Sequence, residues 1–234
     1  MFTKSAFAAA LVVLAAPATA QVTGGSLDIE YDFPTGGGDL GGTTYSGAIE
    51  YGITRDFSVS LDVGGYRLDN INNDATNLTL HGVYHLDDLT SFGAFVGSDA
   101  IEDSDRQSLY GIEAGTEFGT AEVEAYIAAF DGADEDATLF GADGKYSFGN
   151  GISAIASYGL ATADSADLSR IAIGAEYEIA GGPQFYAEIG TVDADGFGVS
   201  ADETFIGLGA RVAFGAERGT TFGQRSLFEI LPGF

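Results

Sequence analysis

The sequence predicts an all-β protein, an antiparallel up-and-down transmembrane β-barrel of about twelve strands (roughly ten to fourteen). Apolar and polar residues alternate along most of the chain, which is the period of a strand with two different faces. The alternating segments run for about 10 to 13 residues, whereas a membrane strand needs about 9 to 11 and ordinary strands average about 5 to 6. Very short and longer links separate these segments in turn, as expected for the two ends of a membrane barrel.

Residues 1–20 read as a secretory signal peptide. Lys4 precedes an apolar run over residues 6–16, and the segment closes on Ala18-Thr19-Ala20, a small-residue cleavage pattern. The apolar run is shorter than the roughly 20 residues that a spanning helix needs. The mature chain is therefore expected to begin at Gln21, with the barrel over residues 21–214. It contains no cysteine, so disulfides do not hold the fold.

Each strand is predicted from its own alternation. In the first segment Leu27, Ile29 and Tyr31 alternate with Asp28 and Glu30. The same pattern recurs, and the twelve predicted segments are 26–33, 43–54, 57–68, 75–86, 90–98, 107–118, 120–130, 136–148, 151–160, 167–179, 183–193 and 203–214.

The links between these segments predict two different barrel ends. The very short links are 55–56, 87–89, 119, 149–150 and 180–182. The longer links are 34–42, 69–74, 99–106, 131–135, 161–166 and 194–202. Short turns at one end and longer loops at the other are typical of transmembrane barrels, and a Greek-key sandwich does not produce this regularity.

One face of the segments is apolar, and the other carries charges and small residues. A charge on the lipid face costs roughly 2–4 kcal/mol at mid-membrane and little at the interface. The charges that break the pattern, Arg67, Asp136, Asp167 and Asp193, all lie at or beside a segment end. Aromatic residues also gather near segment ends, which predicts interfacial girdles. These placements favour lipid on the apolar side, although a soluble periplasmic β-protein would show the same alternation.

The segment 204–214, TFIGLGARVAF, resembles the terminal strand of bacterial outer-membrane β-barrels, broadly the small porin-like ones. The resemblance covers 26–214 through pattern and not through a unique motif. It implies an outer-membrane location, contacts with lipid and lipopolysaccharide, and recognition of the terminal Phe214 by the assembly machinery. Residues 215–234 are then expected to form a C-terminal periplasmic tail, since Pro232 fits poorly in a central strand. Alternatively, Phe234 is the true terminal signal and the strand count changes.

The charge distribution predicts a function. A net charge of −26 excludes nucleic acid as a partner, because nucleic acid is bound through Lys and Arg. Inward carboxylates in a water-filled lumen favour cations, and small inward residues such as Gly52, Gly111, Gly115 and Gly174 leave space. We therefore expect a porin-like channel for passive, cation-favouring diffusion of small polar solutes. The predicted pore-lining residues are Glu50, Asp62, Glu113, Glu117, Glu122, Glu124, Asp143, Lys145, Arg170, Glu176, Glu178, Glu188 and Arg211.

Two histidines leave a hydrolase as an alternative. His81 and His85 share the polar face of the fourth segment, about 13 Å apart along the strand, too far to hold one metal. A catalytic histidine needs a nucleophile or carboxylate within hydrogen-bond reach, and the sequence does not place Ser108 or Asp62 there. We expect lumen-lining histidines, no enzyme and no resident cofactor.

The loops are acidic, which leaves a structural or adhesive barrel as a further alternative. Such loops form a solvated rim or bind Ca²⁺ or Mg²⁺ weakly, bridging to lipopolysaccharide or a partner. The segment at Asp193 begins like a calcium loop, but Phe197 and Thr204 occupy ligand positions, so it fails the pattern. The acidic loop residues are Asp99, Glu102, Asp103, Asp105, Asp131, Asp134 and Glu135.

Overall fold

The structure is a computed structural model, and it describes residues 21–36, 41–68, 74–102, 104–132, 135–196, 199–215 and 220–230. Within these ranges the chain forms twelve strands followed by one turn of 3-10 helix over Leu227–Glu229. The strands are β1 Gln21–Pro34, β2 Gly42–Gly52, β3 Phe57–Leu68, β4 Asp74–His85, β5 Thr90–Ile101, β6 Gln107–Phe118, β7 Ala121–Asp131, β8 Ala137–Gly149, β9 Ile152–Ala163, β10 Ala166–Glu178, β11 Gln184–Gly196 and β12 Val199–Gly215.

The strands form one closed antiparallel barrel in chain order. Each strand pairs with its neighbours in sequence, and β1 pairs with β12 from Gly24 opposite Gly215 to Pro34 opposite Phe205. Closure leaves no sheet edge unpaired. The predicted up-and-down barrel of twelve strands is confirmed. No helix in the described part of the chain is long and apolar enough to cross a membrane.

The two barrel ends differ less than the sequence suggested. The terminal end, where β1 begins and β12 finishes, carries the short turns; the opposite end is called the loop end. Two of the longer links predicted there, 161–166 and 194–202, are wrong. Only residues 164–165 join β9 to β10, and only 197–198 separate β11 from β12. The alternation that makes a strand continues through these polar stretches, so the strands are longer than predicted.

Side-chain acceptors stabilise the turns at the terminal end. The Asp87 carboxylate accepts the backbone N–H groups of Leu89 and Thr90 at 2.9 and 2.7 Å. These two hydrogen bonds favour the charged form and lower the pKa of Asp87. Gly119 has φ of 68°, a left-handed conformation that glycine adopts without strain and that permits a two-residue turn.

The outer face of the barrel is apolar and exposed. Leu27, Ile112 and Ile173 are 64%, 63% and 62% exposed, respectively. Aromatic residues flank this band at both ends, with the rings of Phe57 and Tyr84 5.0 Å apart at the terminal end. A closed barrel with this exterior satisfies its backbone internally and presents hydrocarbon to hydrocarbon, which is the requirement for spanning a bilayer.

Candidate functional site

Residues 220–230, hereafter the lumen segment, lie inside the barrel. The wall ends at Gly215 at the terminal end. The Thr221 N–H donates to Glu50 Oε2 at 2.7 Å near that end, and the Tyr66 hydroxyl donates to Glu229 Oε1 at 2.9 Å near the loop end. The expectation that 215–234 lies outside the barrel as a periplasmic tail is therefore corrected for these residues, because their polar atoms bond to the inner wall.

Arg225 is the main anchor of the lumen segment. Its Nε lies 2.9 Å from Glu113 Oε2 and its Nη2 lies 3.0 Å from Glu124 Oε1, while the guanidinium carbon sits 4.5 Å from the centre of the Tyr126 ring. The side chain is 2% exposed. A guanidinium provides several donors in a fixed plane, which allows one residue to bind two carboxylates and a ring together.

The backbone of the lumen segment is also bound to the wall. The Arg225 carbonyl accepts from Asn77 Nδ2 at 3.0 Å and from Thr79 Oγ1 at 2.9 Å. Asp99 accepts from Ser226 Oγ at 3.0 Å and from the Leu227 N–H at 2.8 Å. Buried backbone groups need such partners because they have left water.

Small residues on the inner wall make room for the large side chains of the lumen segment. A Cβ on Gly93 or Gly115 would come within 2.8 or 3.2 Å of the Phe222 ring, and one on Gly159 within 3.0 Å of Ile230. The sequence interpretation took such residues as open space. At these positions the space is occupied by the chain's own C-terminal segment.

Apolar side chains fill part of the lumen toward the loop end. One buried cluster includes Phe95, Leu109, Leu139 and Ile230, and Phe228 packs against Tyr66 with ring centres 5.0 Å apart. These bulky residues occupy inward positions of their strands. The other inward residues are mostly small or polar. Bulky apolar residues among them were the signal in the sequence that another part of the chain packs inside the barrel.

His81 is held between two carboxylates beneath the lumen segment. Its Nε2 lies 2.8 Å from Asp62 Oδ2 and its Nδ1 lies 2.7 Å from Glu113 Oε1, with the His81 side chain 0% exposed. Glu113 also binds Arg225. The fold thus brings Asp62 to His81, which the sequence did not predict. Ser60 of β3 pairs with His81 of β4, and it is 1% exposed, so the one hydroxyl that the register places opposite this histidine is as covered as the histidine itself. We therefore assign the arrangement to packing of the lumen segment.

His85 lies between two serines at the terminal end. Its Nε2 is 3.1 Å from Ser58 Oγ and its Nδ1 is 2.9 Å from Ser91 Oγ. Both serines are less than 5% exposed. A serine nucleophile has to reach its substrate, and these hydroxyls are covered.

A cavity of about 330 Å³ remains beside the lumen segment. Its charged lining comes from the wall and from the segment together. The acids among the described residues that line it are Asp28, Glu30, Asp32, Asp62, Glu122, Glu124, Asp143, Glu176, Glu188 and Glu229, and the bases are Lys145, Arg170, Arg211 and Arg225. Ten acids against four bases give the lining of this space a formal excess of acidic groups.

The predicted pore-lining residues fall into three groups. Those that line the cavity are Asp62, Glu122, Glu124, Asp143, Lys145, Arg170, Glu176, Glu188 and Arg211. Glu50 and Glu113 face inward but are covered by the lumen segment, with 4% exposure each. Glu117 and Glu178 lie at inward positions beside the terminal end.

The bases of the lumen are each paired with an acid. Lys145 Nζ lies 2.6 Å from Glu176 Oε1, and Arg211 Nε lies 2.7 Å from Asp28 Oδ2. Arg170 pairs with Glu188. Pairing holds these cations at the wall, so the excess carboxylates set the sign of the charge in the cavity.

The acidic loops are only partly as predicted. Asp99 belongs to β5 and is 1% exposed, bound to the lumen segment; its assignment to a loop is wrong because the alternation of β5 continues to Ile101. Glu102 and Asp105 are exposed. Asp131 is exposed too, but it is the last residue of β7, so its assignment to a loop is also wrong. Glu135 is partly buried and accepts from Ser165 Oγ at 2.5 Å. Asp103 and Asp134 lie outside the described residues.

The closed barrel, apolar exterior and charged interior define a membrane-spanning β-barrel of the outer-membrane type. The outer membrane is where such barrels reside. No protein-family model matches this chain, and no curated protein sequence matches it either.

Solved structures share the fold at low sequence identity. A KdgM porin superposes with a TM-score of 0.60 and 13% identity, over 81% of this chain and 99% of the porin. The same porin in complex with disordered oligogalacturonate gives 0.58 and 13%, with the same coverage. An outer membrane channel from Pseudomonas putida F1 gives 0.57 and 15%, over 83% of this chain and 96% of the channel. At this identity the likeness concerns the fold.

Proposed function

We propose that the protein is a channel for small polar solutes that favours cations, and that its own lumen segment narrows the path. The observation that carries the proposal is the cavity beside the segment, with ten acids and four bases among its lining residues. Carboxylates around an aqueous path attract cations and repel anions.

The fold supports a channel, and the excess of acidic groups in the lumen supports a preference for cations over anions. The similar structures include a porin and an outer membrane channel. A twelve-strand barrel lies between the narrow barrels of about eight strands and the wide channels of about sixteen, so its contents decide how much of the lumen is open. Here the hydrogen bonds of the lumen segment go to β2 through β7, and the cavity beside the segment is lined by β1 to β3 and by β7 to β12.

The cation preference proposed here is opposite in sign to the charge of a ligand bound by one of the similar structures. The KdgM porin was solved with oligogalacturonate, a chain of sugar acids whose carboxylates are negative. The lumen described above is itself rich in carboxylates, so like charges would oppose entry of such a chain. We propose cations and uncharged small solutes as the substrates here.

Reversal potentials test the proposal. The purified full-length barrel is inserted into planar bilayers across a KCl gradient, and we expect small steps whose reversal potential has the sign of K⁺ preference. The preference should weaken in molar salt, because screening shortens the reach of the carboxylates. Anion preference would contradict the charge argument.

A structural or adhesive barrel is the second candidate, and one observation favours it. The lumen segment and the apolar cluster around Leu109 and Leu139 occupy part of the interior. Were the barrel closed to ions, folded protein in the bilayer would give no steps at all, and its loops would be the functional surface. A hydrolase is not supported, because Ser58 and Ser91 beside His85 are buried.

A further inference from the structure

We propose a calcium site on the inner wall, formed by Glu30 and Asp32 of β1 and Glu188 of β11. One carboxylate oxygen from each residue lies within 4.8 Å of the other two. The inference uses the same acidic lumen as the proposed channel, but it does not require that the lumen conducts.

The backbone of β12 explains how carboxylates from two non-adjacent strands meet. Gly207 of β12 pairs with Asp32 on one side and with Glu188 on the other. A Cβ on Gly207 would come within 2.6 Å of Glu30 Oε1 and 2.7 Å of Asp32 Oδ1. The absence of a side chain at this position lets the three carboxylates converge over the strand that separates them.

Two of the converging oxygens have no hydrogen-bond donor. Asp32 is 5% exposed and its Oδ1 is buried without a partner, and the same holds for Glu30 Oε1. A buried carboxylate oxygen has lost water and needs a donor or a cation in its place. Both oxygens point to the spot that a Gly207 side chain would fill.

The neighbouring donors do not neutralise the cluster. Arg170 pairs with Glu188 and also donates to Ser157 Oγ at 2.7 Å. Tyr186 has one hydroxyl proton, and its oxygen lies 2.8 Å from Asp28 Oδ1 and 3.0 Å from Glu30 Oε2. Three carboxylates against one guanidinium leave a local charge that a divalent cation would offset.

The coordination chemistry favours Ca²⁺ over Mg²⁺, because Ca²⁺ takes about six to eight oxygens in a flexible geometry whereas Mg²⁺ demands a near-ideal octahedron. Carboxylate oxygens are the preferred ligands of both ions. Oxygens on opposite sides of Ca²⁺ are roughly 4.6 to 5.2 Å apart, and those around Mg²⁺ roughly 4.0 to 4.2 Å, given ion–oxygen distances of about 2.3–2.6 and 2.0–2.1 Å. The separation of up to 4.8 Å accommodates Ca²⁺, with water from the adjoining cavity completing the shell.

Terbium luminescence tests the site. Tb³⁺ replaces Ca²⁺ and emits when a nearby tyrosine is excited, and the Tyr186 hydroxyl lies beside Glu30. We expect the folded, detergent-solubilised protein to show a saturable emission that Ca²⁺ displaces more readily than Mg²⁺. The double variant Glu30→Gln with Asp32→Asn should weaken binding by about tenfold or more, because affinity follows the number of charged ligands.

A matched control removes two acids from the other side of the same cavity. Glu122→Gln with Asp143→Asn should retain the emission, and Tyr186→Phe should dim it while Ca²⁺ still raises the melting temperature of the barrel. Equal loss in the control, or no displacement by Ca²⁺ in the parent, would overturn the site. Binding is measured in detergent, and conductance is measured in KCl without added Ca²⁺. Failure of the site and failure of the channel are therefore separate results.

Discussion

Arg225 and Glu113 form an ion pair inside the barrel, with Nε 2.9 Å from Oε2 and both side chains at most 2% exposed. The pair joins the last described part of the chain to a strand in the middle of the wall. It holds the lumen segment against β6, and Glu113 in turn contacts His81.

Removing Arg225 should release the lumen segment. Breaking a buried ion pair by deleting one partner costs about 3–5 kcal/mol, enough to shift docking by more than a hundredfold at about 1.4 kcal/mol per factor of ten. The chain has no cysteine, so a single Ile230→Cys substitution gives a clean reporter. Maleimide labelling should be slow in the Arg225 protein and fast in Arg225→Gln. Equal labelling rates in the two proteins would show that the segment is held by other contacts.

Deleting residues 220–234 should widen the path. The wall is complete at Gly215, and the segment occupies space that water would fill. We expect unit conductance in planar bilayers to at least about double, since the open area of a barrel depends on what its interior holds. Fifteen residues of glycine and serine in place of 220–234 provide the control for chain length. An unchanged conductance in the deletion would mean that the ions take a route that the segment does not touch.

The fold was readable from the sequence, but the contents of the barrel were not. Alternation identified every strand because each residue pair, such as Asp28 and Ile29, faces two different solvents. The lumen segment has no such period, since its residues contact the wall on several sides, and Arg225 looks like a surface residue in sequence. The inward Leu109 and Leu139 were the available hint. Contacts between distant strands, such as Asp62 with His81, depend on register, which alternation does not specify.

Filling the space above Gly115 should displace Phe222. A Cβ there would already lie 3.2 Å from the Phe222 ring, so the longer side chain of Gly115→Leu cannot share the site. We expect faster labelling of the Ile230→Cys reporter and a lower melting temperature. Gly144→Leu adds the same bulk at a position of β8 opposite the outward Val123 and should change neither. If the two variants behave alike, Phe222 does not hold the segment.

Asp143 should contribute to ion selectivity. It lines the cavity, and it does not bind Arg225, unlike Glu113 and Glu124, so its neutralisation leaves the segment in place. We expect Asp143→Asn to lower the K⁺ over Cl⁻ preference, most visibly at low salt where screening is weak. Asp105→Asn removes the same charge from an exposed loop and should have a smaller effect. If the K⁺ over Cl⁻ preference is unchanged in Asp143→Asn, other residues of the lumen determine the selectivity.

Replacing His81 should lower the stability of the barrel, and no hydrolase activity should depend on this residue. Replacing it with Asn leaves Asp62 and Glu113 facing each other across a buried gap, which costs about 1–3 kcal/mol for the lost polar contacts. We expect a lower melting temperature in His81→Asn by circular dichroism, while His85→Asn, at the partly exposed terminal end, changes it less. Phospholipase and protease assays on the parent should show no activity that either variant abolishes.

The uneven filling of the barrel has a mechanical consequence. The lumen segment bonds to β2 through β7, from Glu50 to Glu124, whereas β10 to β12 line the cavity. One half of the wall is therefore braced from within and the other half is backed by a space that water can enter. Local opening of the wall will therefore differ between its two sides. We expect the amide protons of β4 to β6 to exchange more slowly than those of β10 to β12. Glu30, Asp32 and Glu188 lie on this second half, around Gly207. A cation bound there would stiffen a part of the wall to which the described residues of the lumen segment make no hydrogen bond.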